Sequence, residues 1–99
     1  MIVMVKHHVR DFDAWKQVFD EHDAVRRGHG STGYTLYRSV DDPNSVTVLT
    51  RWPSTDAARR FADDPSLAEA MRSGGVDAEP EVAFLTEAGE ESYAGQKAA

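Results

Sequence analysis

Near the start of the chain the hydrophobic positions alternate, then switch to three- and four-residue steps. Ile2–Val9 (IVMVKHHV) is rich in β-branched residues and predicts a strand. Alternation puts Val3, Val5, His7 and Val9 on one face and Ile2, Met4, Lys6 and His8 on the other. Asp11 is a good N-cap, and Asp13 lies where a helix dipole favours negative charge. Phe12, Trp15, Val18, Phe19, His22 and Val25 then form one apolar stripe, predicting a single helix closed by Gly28 and Gly30.

Further on, the pattern predicts a hairpin. Strands over 32–40 and 45–52 flank Asp41-Asp42-Pro43-Asn44, a turn by composition. Pro53 ends the second of these strands, and Ser54 caps a helix running through Ala57, Ala58 and Phe61. Pro65 interrupts that helix, and Ser66 restarts it through Leu67, Ala68 and Met71 as far as Gly74-Gly75. Residues 81–87 (EVAFLTE) form the last predicted strand. The order β-α-β-β-α-β predicts an α+β, ferredoxin-like domain over residues 1–88, with four antiparallel strands and both helices on one sheet face. Residues 89–99 are small and polar and read as a flexible tail. Helices on one face leave Ile2, Met4, Leu49 and Leu85 facing outward on the other, and the simplest cover is a second copy in a homodimer through the sheet face.

Composition narrows the possible partners. A net charge of −6 over 99 residues argues against nucleic acid and against an anionic membrane surface. With no cysteine there is neither a disulfide framework nor a thiolate site. The apolar start MIVMV is broken by Lys6, His7 and His8, too soon for a signal-peptide core or a membrane span, so a cytoplasmic protein is expected. No histidine pair has i,i+4 spacing, and no glycine-rich phosphate loop or G-x-S-x-G is present, so no metal site is expected.

Candidate chemistry rests on a few residues. His7 shares a face with Val3 and Val5; it is either a core residue bonded to a neighbour or a group that moves a proton. His22, on the helical stripe, is either its partner across a pocket or a helix-end residue half in water. These two are the catalytic candidates. Trp15, Trp52 and Tyr37 are the substrate-binding candidates, although Trp15 reads most simply as a core anchor. Tyr34 and Tyr37 fall on opposite faces of their strand, so only one can face a given cavity. Arg38 and Arg51 either bind an anionic oxygen or are solvated rim charges.

The stretches VKHHVRDFDAWKQVFDEH, GSTGYTLYRSVDDPNSVTVLTRW and PEVAFLTE together resemble the dimeric α+β barrel superfamily, in its branch of antibiotic biosynthesis monooxygenase-like and polyketide cyclase-like small proteins. The resemblance spans about residues 2–87. It implies two sheets closed on each other with helices outside, and a small-molecule pocket between each sheet and its own helices. It is poor for the haem-degrading members. Trp52 stands at their tryptophan position, but His7-His8 replaces their first-strand asparagine and residues 54–72 contain no histidine. The activity implied is cofactor-free oxygenation, or cyclisation, of an aromatic or polyketide-like molecule. A non-catalytic dimeric ligand-binding or stress-associated protein of the same fold is the alternative.

Overall fold

The structure is a computed structural model and describes residues 1–94. Strand β1 (Ile2–His8) leads into helix α1 (Phe12–Glu21), which is capped by the Asp11 carboxylate accepting the Ala14 N–H. A short α2 (Asp23–Gly28) follows, then β2 (Gly33–Arg38) and β3 (Ser45–Arg51). Helices α3 (Thr55–Ala62) and α4 (Pro65–Ser73) are capped by Ser54 and Asp64, with Pro65 in the first turn of α4, where a missing N–H costs nothing. Strand β4 (Glu81–Leu85) completes a four-stranded antiparallel sheet of order β2-β3-β1-β4. This is the ferredoxin-like α+β arrangement that the order of elements predicts.

Two details differ from expectation. The stripe from Phe12 to Val25 is not one helix, because the backbone turns at His22 (φ −84°, ψ 1°). There the His22 N–H is shared by the Val18 and Phe19 carbonyls, while its own carbonyl accepts from Val25 and Arg26. Asp23 then opens a new first turn. The last strand ends at Leu85 rather than at residue 87, residues 86–93 form no helix or strand, and residues 95–99 of the expected tail lie outside the described residues. No helix among the described residues is long and apolar enough to cross a membrane.

Register decides what each sheet face carries. Val3 pairs with Thr50 and Phe84, Val5 with Val48 and Val82, and His7 with Val46, so these residues share the helix-covered face. The core beneath the helices divides into two clusters. One joins Val9, Trp15, Val46 and Val48, with Phe12, Phe19 and Tyr34 packed against it. The other joins Val3, Trp52, Ala57, Ala58 and Phe61, with Val5 and Leu67 alongside. Each cluster is anchored by a tryptophan whose burial is worth about 4–6 kcal/mol as an upper bound.

Trp52 cannot be buried without a partner for its indole N–H. Its Nε1 donates to Thr50 Oγ1 at 2.8 Å, and that hydroxyl in turn donates to the Val3 carbonyl at 3.3 Å. Thr50→Val keeps the shape but strands the indole N–H, so it should cost about 1–3 kcal/mol in chemical denaturation. A loss below about 0.5 kcal/mol, the range of a surface change, would show that the hydroxyl is dispensable.

Candidate functional site

The two core clusters do not meet completely. Between them lies a cavity of about 60 Å³ whose walls include Trp15, Phe19 and Val48 from one cluster and Val5, Phe61 and Leu67 from the other. Three polar side chains, His7, His22 and Arg26, line it together with Thr50.

His7 stands on the sheet floor. It is 6% exposed, packs edge-on to Trp15 with ring centroids 5.4 Å apart, and has no hydrogen-bond partner at Nδ1. Burial pushes its pKa below the ordinary 6.5, with the Val46 backbone opposing as the lesser influence. The ring is therefore neutral at neutral pH, and its Nδ1 is buried. The neighbouring His8 points away from the helices. It bonds to Asp77 at 2.8 Å and approaches Asp42 at 3.2 Å, and the Asp77 hydrogen bond raises its pKa.

His22 reaches the cavity from the turn between α1 and α2. Its Nε2 shares a 2.9 Å hydrogen bond with Ser66 Oγ, so its partner is on α4 rather than on His7. Burial, then the nearby Arg26, lowers its pKa. Ser66 also donates its backbone N–H to Asp64, and Asp64 accepts from His29 Nε2 at 2.8 Å. Those two donors, His29 foremost, hold the Asp64 carboxyl well below the usual carboxylate range. Polar links thus seat α4, a helix with no buried residue of its own, on the rest of the domain.

Of the five residues expected to form the site, His7, His22 and Trp15 line this one cavity. Trp52 and Tyr37 do not. Trp52 lies behind the wall, its ring 4.8 Å from Phe61 and its N–H committed to Thr50. Tyr37 pairs with Thr47 on the helix-free face and is 54% exposed; Tyr34 is the tyrosine that faces the helices, edge-on to Phe19. Arg38 lies at the rim, its guanidinium over Phe12 and its Nε donating to the Pro43 carbonyl. Arg26 was hidden by its position before Arg27 and Gly28, which reads as an ordinary helix end. The signal that finds it is the spacing 15, 19, 22, 26, which continues the apolar stripe onto a cation. Among the described residues no group of three or more histidine, aspartate or glutamate side chains is placed to hold a metal ion.

Comparison with known proteins agrees with this architecture. The antibiotic biosynthesis monooxygenase family matches residues 1–73. SnoaB, a cofactor-independent oxygenase from Streptomyces nogalater, superposes with a TM-score of 0.70 at 20% identity, covering 91% of this chain and 96% of its own. Rv0793 from Mycobacterium tuberculosis gives a TM-score of 0.65 at 18% identity, with 92% and 98% covered. No curated protein matches the sequence. At such identities the solved structures speak for the fold alone, whereas the sequence match covers most of the chain. The chain belongs to the antibiotic biosynthesis monooxygenase family.

Proposed function

We propose that the protein is a cofactor-free oxygenase acting on an aromatic or polyketide-like molecule, with His7 as its base. The observation that carries this reading is a buried, neutral imidazole, its Nδ1 without a hydrogen-bond partner, among the residues lining an apolar cavity. An isolated polar atom in a core is a cost without return unless something binds it. In this reading the His7 imidazole removes an acidic proton from an activated ring CH2, leaving a carbanion delocalised onto a neighbouring oxygen. The carbanion reduces dioxygen; one oxygen atom becomes the new carbonyl, the other leaves as water with the second proton from carbon and the one held by His7. Trp15 and Phe19 supply flat walls that orient the ring. His22, bonded to Ser66, is the second proton-handling group at the same cavity.

The size of the cavity favours a second reading. About 150 Å³ is needed to hold a benzene-sized guest, more than twice the space present. Either α4, lacking a buried residue, moves outward to admit substrate, or the cavity holds only water and the protein is a non-catalytic member of its family. Oxygen uptake with a panel of phenols, anthrones and polyketide fragments separates the two. The oxygenase reading requires turnover that rises with pH through a midpoint below 6.5, because His7 must be unprotonated. His7→Leu should abolish turnover while the protein becomes more stable by about 1 kcal/mol, since an unsatisfied buried polar atom is replaced by an apolar group. Unchanged turnover in that variant would remove His7 from the mechanism.

The helix-free face bears on assembly. Register places Ile2 beside Leu85, and Met4 beside Leu49 and Ala83, on that face, while Lys6, Thr47 and Glu81 form its polar end. We propose that a second copy covers the apolar end. Sedimentation should then give twice the 11.0 kDa chain mass, and Leu49→Lys should return it to a single chain without unfolding. A wild type that stays a single chain at high concentration would contradict this assembly.

A further inference from the structure

Arg26 faces two spaces at once. One is the apolar cavity beneath His7; the other is a cleft of about 360 Å³ beside β2, lined by Asp23, Arg26, Arg27, Tyr34 and Arg51 among others. The cleft gathers three cations against one carboxylate in a chain whose net charge is −6. Local charge of this sign in an acidic protein marks a place built for an anion.

Arg26 itself is 4% exposed, with its guanidinium 3.8 Å over the Phe19 ring and 5.6 Å from the centre of Tyr34. Stacking fixes the plane of the group and leaves its edge for hydrogen bonding. Yet its only side-chain hydrogen bond among the described residues is a long one, 3.4 Å to Asp23, whose other oxygen is taken by Arg27 at 2.6 Å. A buried guanidinium with five N–H donors and one weak partner is underused.

Arg51 reaches the same cleft by crossing the edge of the sheet at Gly33. A Cβ on Gly33 would fall 2.5 Å from Arg51 Nη2, so the absent side chain is what lets the arginine pass. Hydrogen bonds to the Tyr34 carbonyl at 3.2 Å and Thr35 Oγ1 at 3.0 Å hold it there. Arg51 is thereby one of the residues lining the cleft.

We propose that Arg26, with Arg51 beside it, seats the carboxylate of an aromatic acid whose ring enters the His7 cavity. The planar fork of a guanidinium matches a carboxylate through two parallel hydrogen bonds, and Arg26 is the one side chain of the three cations shared by both spaces. The substrate class is thereby narrowed from any aromatic or polyketide-like molecule to one bearing an acid group. This inference rests on reading the cavity as a small-molecule site.

The test is calorimetric titration of benzoate, 1-naphthoate and anthracene-2-carboxylate, each beside its neutral carboxamide and beside acetate. At low salt an acid should bind about tenfold or more tightly than its own carboxamide, the scale of a charge-assisted pair. That gap should collapse to less than about threefold in Arg26→Met and in Arg51→Met, with carboxamide affinity held. Arg51 is exposed, so its variant tests the seat even where Arg26→Met fails to fold. Acids no tighter than carboxamides, or a gap surviving in Arg51→Met and in a folded Arg26→Met, overturn the carboxylate seat while leaving the cavity reading intact. Acetate binding as tightly as the aromatic acids overturns it too, showing an anion site unconnected with the cavity. If no aromatic probe binds at all, the cavity reading fails and the seat with it.

Discussion

The domain depends on how two tryptophan-anchored clusters close over one sheet face without filling the seam between them. Trp15 fixes α1 over one end of β1 and β3; Trp52 and Phe61 fix α3 over the other. The seam falls where His7 rises from the sheet, His22 turns in from the break between α1 and α2, and α4 lies above with no residue fully buried. Each end is occupied by its own cluster, and the cavity lies between the two. Every chemical feature of the site follows from that placement: the lowered pKa of His7, its unpartnered Nδ1, and the aromatic walls.

Much of this was legible in the sequence because it depends on local pattern. Alternation in residues 2–9 assigns His7 to the helix-covered face, and the three- and four-residue steps after Asp11 assign Trp15 and His22 to the same side. Caps at Asp11 and Ser54 mark the helix starts. What was not legible depends on contacts made across the fold. The split at His22 comes from shared backbone hydrogen bonds, which no spacing announces. Trp52 ends a strand before Pro53 as a pocket wall would, yet its N–H is drawn inward by Thr50 two residues earlier. Tyr37 was distinguishable from Tyr34 only by register against β3.

Membership of the family explains the architecture and leaves the reaction to this chain's own residues. The solved relatives share its fold at 18–20% identity, a level at which site side chains are free to differ. Here the site is assembled from imidazole and guanidinium against aromatic faces. That combination suits an anion formed by proton loss and held beside flat hydrophobic walls.

Filling the seam tests the central claim most directly. Ala70, on α4, faces the cavity, and Ala70→Leu adds three carbons there on a residue of good helix propensity. If the space is a ligand seat kept open at the expense of packing, this variant should melt a few degrees higher than wild type and lose its thermal shift with aromatic ligands. A lower melting temperature with the ligand response intact would contradict the account, because the seam would then be neither spare volume nor the place where ligands bind.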